Sequence, residues 1–189
     1  MISWRRPSEP TIEAFRERQR EAAFGYPEVG ATDGELPSGY HIDRSESVIG
    51  RGRDDFAAAS RALSGYRHYD AANGRIRIVE PRPPMEVGEV VTLLGCHVGI
   101  WTLSACRIVY TFDEPSAFGF GYGTLEHAVR GEERFEVGLL EDETVVFRLL
   151  AFSLPSSWLI RLGAPVARTF QKRAGRDYAQ AIREAISDA

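Results

Sequence analysis

Arg107, Tyr122, His127, Glu132 and Glu133 are the residues of this chain whose types and spacing could do chemistry. His127 with Glu132 or Glu133 could form an acid–base pair. Arg107 sits in an otherwise apolar stretch and, under strand alternation, shares a face with Trp101, Leu103, Ala105 and Val109. If that face is buried, its guanidinium needs a carboxylate or carbonyl partner. Glu132 and Glu133 point to opposite faces of a strand, so at most one of them can pair with Arg107. Two readings follow. One is a structural ion pair; the other makes Arg107 and one glutamate the polar end of an apolar pocket, the form a small-molecule site takes. Tyr110 and Tyr122 join the candidate ligand-binding set. No G-x-S-x-G nucleophile and no H-E-x-x-H metal spacing occurs, so no catalytic residue is assigned and neither a metal nor a cofactor is expected.

The stretch that must position these groups is Phe118-Gly119-Phe120-Gly121-Tyr122-Gly123-Thr124. As a strand it has one aromatic face and one face without side chains. Glycine inside a strand marks close approach by a ligand or by other protein atoms. Gly119, Gly121 and Gly123 therefore have two readings. They admit the C-terminal helix or a large neighbouring side chain, or they floor a ligand cavity. The spacing G-x-G-x-G within a strand is not the phosphate-binding G-x-G-x-x-G between strand and helix.

Around that strand the periodicity predicts a helix over 10–23 and an irregular Gly- and Pro-bearing segment over 25–39. A strand over 40–49 and a helix over 54–63 follow. From 75 to 153 the pattern is strands, with 127–132 read as a connection and 144–153 apolar on both faces. A helical stretch begins at Pro155 and is broken or kinked at Gly163-Ala164-Pro165. From Val166 an apolar stripe marks a long amphipathic helix. His68, between Tyr66-Arg67 and Tyr69, reads as a solvated loop residue. Arg168, Lys172, Arg173 and Arg176 read as a solvated helix face able to receive an anionic group.

The fold class is therefore α+β: a curved, mostly antiparallel sheet of about six strands, a short helix, and a long C-terminal helix packed across one face. This resembles the helix-grip arrangement of the START and Bet v 1 proteins, in which a cavity lies between sheet and helix. Residues 1–36 are expected to form an N-terminal helix and irregular segment packed on a single domain of residues 37–189.

The chain has 189 residues and a net charge of −4, which argues against a nucleic-acid partner. Lys172 is the only lysine among 23 basic residues, a bias of base composition more than of phosphate chemistry. Cys96 and Cys106 have no metal-ligand spacing and read as free thiols. No apolar run approaches the roughly 20 residues of a membrane span. The N-terminus lacks a secretory h-region, so a cytoplasmic location is expected.

The motifs also carry a family resemblance. Phe120-Gly121-Tyr122-Gly123-Thr124-Leu125, His127 and Arg130-Gly131-Glu132-Glu133-Arg134-Phe135 resemble the signature of the domain-of-unknown-function nineteen-ninety family. Tyr26-Pro27, Val29-Gly30-Ala31-Thr32, Pro37-Ser38-Gly39-Tyr40 and Ala105 to Tyr110 are similar to other parts of it, as are Phe152 to Pro155 and Pro165 with Arg168, Gln171 and Arg173. The resemblance implies the fold and no activity. Three functions stay open. The first is binding of an apolar or amphipathic small molecule between sheet and C-terminal helix. The second is an enzyme doing acid–base chemistry there, with Tyr122, His127, Glu132 and Arg107 as its groups. The third is a partner-binding protein without a ligand.

Overall fold

The computed structural model describes residues 1–71, 76–97, 99–125, 129–155 and 164–188, with the side chains of His97 and of residues 155–173 outside that description. The chain runs β1 (Ile2–Ser3), α1 (Glu9–Gln19), β2 (His41–Arg51), α2 (Gly52–Ser64), β3 (Ile76–Ile78), β4 (Val90–His97), β5 (Ile100–Glu114), β6 (Ala117–Thr124), β7 (Val129–Leu139), β8 (Thr144–Pro155) and α3 (Ala164–Ser187). Seven strands pair antiparallel in the order β2-β8-β7-β6-β5-β4-β3, and the two-residue β1 pairs with β5 beside that path. The class is α+β, as the alternation predicts, with seven strands along the path and β1 beside it against the six or so expected. The connection expected at 127–132 is shorter, because β7 already begins at Val129. The helical stretch expected from Pro155 falls largely on residues 156–163, outside the described residues.

Local chemistry sets the helix starts. Ser8 caps α1 and accepts from the Thr11 backbone N–H, with Pro10 in the first turn where its missing N–H costs nothing. Asp55 accepts a 2.7 Å bond from the Arg51 N–H ahead of α2. Tyr66 then takes φ +56° and ends the helix, swinging a 3₁₀ turn at Arg67–Asp70 in toward the sheet.

The sheet has two differently clothed faces. The inner face carries Phe120, Tyr122, Phe135, Val137 and Phe147, packed with Leu63, Tyr66 and Tyr69 and with Ala179 and Ile182 of α3. Each buried side chain of this size is worth roughly 2 kcal/mol of transfer free energy. α3 reaches the sheet at Gly175, where a Cβ would meet the Ser45 hydroxyl. The outer face carries Leu94, Leu103, Ala105 and Leu125 under Ile12 and Phe15 of α1. The long C-terminal helix thus lies on the aromatic face of the Phe118–Thr124 strand, opposite the glycines.

His68 is not solvated. It is fully buried in an aromatic nest, with ring centroids 4.3 Å from Tyr69, 4.7 Å from Phe135 and 5.5 Å from Tyr178. The turn after Tyr66 rotates it inward, an outcome of φ > 0 at a non-glycine residue that sequence pattern does not announce.

Candidate functional site

The glycine face is built over by aromatic rings. A Cβ on Gly121 would run into the Tyr110 ring, one on Gly123 into the Tyr26 hydroxyl, and one on Gly119 into the Phe135 carbonyl and the Phe112 ring. These glycines make room for protein. Tyr110 and Phe112 arrive there through a bulge in β5. Ile108 pairs with Tyr122 and Tyr110 with Gly121, leaving Val109 as one extra residue. The extra residue transfers every later side chain of β5 to the opposite face.

Glu132 lies on this outer face and is consumed by the N-terminal segment. It is 1% exposed and accepts from Tyr26 Oη at 2.7 Å, from the Gly30 N–H at 2.7 Å, from the Thr32 N–H at 2.9 Å and from the Thr32 hydroxyl. Burial, and then the neighbouring carboxylate, push the Tyr26 phenol well above its ordinary range. Thr32 also shares a 2.7 Å bond with Tyr110. Two residues along β7, Arg134 holds Asp33 and Glu136 and stacks 4.2 Å over Phe112.

Arg107 is likewise spoken for. Its guanidinium donates to the Gln19 carbonyl at 3.1 Å and the Arg20 carbonyl at 2.9 Å, at the end of α1, and lies 5.5 Å over Phe24. It pairs with neither Glu132 nor Glu133. The expectation that Arg107 and one of them form a shared polar end is corrected: the α1 carbonyls reach the guanidinium first. His127 falls outside the described residues.

The inner face gathers a different set. Glu133 and Tyr122 sit opposite each other in the β6–β7 register, and Tyr122 Oη donates to Glu133 Oε2 at 2.8 Å. The Tyr69 hydroxyl bonds that of Tyr122, and the Tyr178 ring of α3 lies 5.2 Å from Tyr69. Glu133 is only partly buried, unlike Glu132. Desolvation raises its pKa above the ordinary carboxylate range, the Tyr122 bond opposes this, and Asp43 adds to it. Burial raises the Tyr69, Tyr122 and Tyr178 phenols and the Cys106 thiol as well. His68 backs this group, and burial holds its imidazole neutral with a pKa of about 3. Neither of its nitrogens has a hydrogen-bond partner among the described residues.

Of the residues singled out by sequence, the structure thus brings Tyr122 and Glu133 together. It places Arg107, Tyr110, Glu132, Gly119, Gly121 and Gly123 on the other side of the sheet. Tyr69, Tyr178 and His68 were missed. The signal for Tyr178 is its helical spacing from Ala174, Ala181 and Ile182 on the apolar stripe of the last helix. Among the described residues, a shallow open depression beside Arg18, Gln19, Ala22 and Leu125 touches none of this inner group. No three His, Cys, Asp or Glu side chains gather as metal ligands among the described residues. No described helix is long and apolar enough to cross a membrane.

Comparison with known proteins agrees with the geometry. A protein from Helicobacter pylori of hypothetical assignment superposes with a TM-score of 0.58 at 9% identity, covering 86% of this chain and 95% of that one. Norcoclaurine synthase from Thalictrum flavum superposes with a TM-score of 0.54 at 13% identity, covering 82% and 98%. These likenesses establish the Bet v 1-like, helix-grip fold. A UPF0548 protein of Dictyostelium discoideum is 32% identical, covering 92% of this chain and 90% of its own length. A UPF0548 protein of Deinococcus radiodurans is 33% identical, covering 96% and 97%. The family model described as "Domain of unknown function (DUF1990)" matches residues 25–181, from just ahead of the Tyr26 clasp to the last turns of α3, and the chain belongs to that family.

Proposed function

We propose that this chain binds an apolar or amphipathic small molecule between the inner face of the sheet and α3, with Glu133, Tyr122 and Tyr69 as the polar end of the site. One observation carries this reading: a half-buried carboxylate and two linked, buried tyrosine hydroxyls lie among the aromatic side chains of the inner face. A few polar groups fixed in apolar surroundings orient a ligand and select it. The fold supports the reading by analogy, since norcoclaurine synthase from Thalictrum flavum, a neighbour of the same fold, is known in complex with a transition state analogue. Native mass spectrometry of the purified chain tests it. A small-molecule adduct is expected, and Ala151→Phe, which adds bulk beside Glu133 in the β7–β8 register, should weaken it. A chain that carries no adduct and shows no thermal shift with any lipophilic compound would sink the proposal.

A second reading is favoured by the chemistry of Glu133 itself. A carboxyl group held above its ordinary pKa beside a tyrosine hydroxyl is suited to proton transfer. In this form the site is that of an enzyme, and Tyr122 and Glu133 are its acid–base groups. Turnover of a bound ligand that Glu133→Gln abolishes without loss of binding would separate this from simple binding.

A further inference from the structure

Resting on the ligand-binding reading, we infer that the polar end of the site takes a cationic amine, with Glu133 as the counter-charge and the tyrosine rings as its walls.

The inner-face register runs Asp43–Ala151–Glu133–Tyr122 across four strands. Two acids therefore flank the methyl group of Ala151, at roughly 10 Å between their backbones for two strand spacings. Tyr122, Tyr69 and Tyr178 face Glu133 from β6, from the turn after α2 and from α3, and Cys106 faces it from β5. Asp43 is bonded by His41 Nε2 at 3.1 Å, from two residues earlier on the same strand.

Among the described residues no arginine is bonded to Glu133, and the basic side chain on Asp43 is His41. Arg107 is bound to the end of α1, and Arg134 to Asp33 and Glu136 on the outer face. Arg148 is bound to Glu46 and Glu136. Arg44 and Arg176 are exposed, and Arg183 donates to the Val48 carbonyl. The basic group nearest the tyrosines is His68, and its full burial keeps it uncharged. It is also a polar side chain without a partner, packed directly behind Tyr69 and Tyr178.

A half-buried carboxylate with a second acid nearby gains most from a cation and least from an anion. An ammonium placed there would donate to the carboxylate oxygens and could lie against tyrosine faces, where cation–π attraction adds to it. A ligand carboxylate would make a third negative charge.

The test uses the full chain and three probes that share one alkyl chain: decylamine, decan-1-ol and decanoate, titrated calorimetrically near neutral pH. Decylamine is expected to bind at least about tenfold tighter than either of the others, and Glu133→Gln to remove that preference. Tyr122→Phe, which keeps the carboxylate and removes its donor, should retain the preference; it serves if Glu133→Gln fails to fold. If the alcohol or decanoate binds as tightly as the amine, the cation inference is overturned and the site stands. If decylamine alone binds but Glu133→Gln leaves its affinity unchanged, the assignment of Glu133 is overturned. If none of the three binds, the ligand-binding reading fails and takes the inference with it.

Discussion

Tyr26 donates a 2.7 Å hydrogen bond to Glu132 across 106 positions of sequence, and both ends of that bond are buried. It is the anchor of a clasp in which one carboxylate gathers Tyr26, Gly30 and Thr32. The clasp fixes a segment that has little regular structure of its own.

Removing the carboxylate should therefore cost more than one bond. Glu132→Ala leaves the Gly30 and Thr32 N–H groups and the Tyr26 hydroxyl buried without their acceptor. A loss of about 3 kcal/mol or more is expected in denaturant unfolding, because each orphaned group costs about 1–3 kcal/mol. Hydrogen exchange should rise at residues 26–33 before it rises in the sheet. Unchanged exchange there would show that Arg134 alone holds the segment.

The glycine face predicts a steric coupling. Gly123→Ala places a methyl group against the Tyr26 hydroxyl and should cost about 2 kcal/mol or more. Tyr26→Phe removes the atom met first and also its bond to Glu132. In the double variant the two losses should sum to less than the single values, and a double-mutant cycle measures the difference. Strict additivity would mean that the backbone, not Tyr26, sets the limit.

Acid should find His68. Its native pKa is about 3, below the ordinary 6.5, so the unfolded chain takes up a proton that the native chain refuses. The stability tied to this group is complete above about pH 6.5 and is lost as pH falls toward about 3. His68→Phe keeps the ring packing and should flatten that part of the stability profile. It should also match or exceed the parent at neutral pH, since two unpaired nitrogens are removed.

Glu133 behaves in the opposite sense. Its native pKa is raised, so the native chain keeps a proton that the unfolded chain gives up. No charge penalty exists below the ordinary carboxylate range, and the penalty develops as pH rises through the raised value. The stability gained by Glu133→Gln over the parent should therefore grow from acid to neutral pH. A gain that does not change with pH would assign the effect to packing.

Much of the fold was legible because the strands alternate cleanly. Phe135 and Val137 against Arg134 and Glu136 sort themselves inward and outward with no further information. The separation of Glu132 from Glu133 followed from the same rule. What failed were the places where one residue breaks a period. The bulge at Val109 carries Tyr110 and Phe112 onto the glycine face, and the positive φ at Tyr66 carries His68 inward. Neither leaves a mark in composition or periodicity. The partner of Arg107 was hidden for another reason: it is a pair of backbone carbonyls, which every residue possesses.

Glu132 and Glu133 are adjacent in the chain, yet one is spent on architecture and the other faces the proposed ligand. The sheet thus works as a partition between two ledgers of selection. A substitution at the inner acid leaves the bonds of the outer acid in place, so the two faces can be altered one at a time.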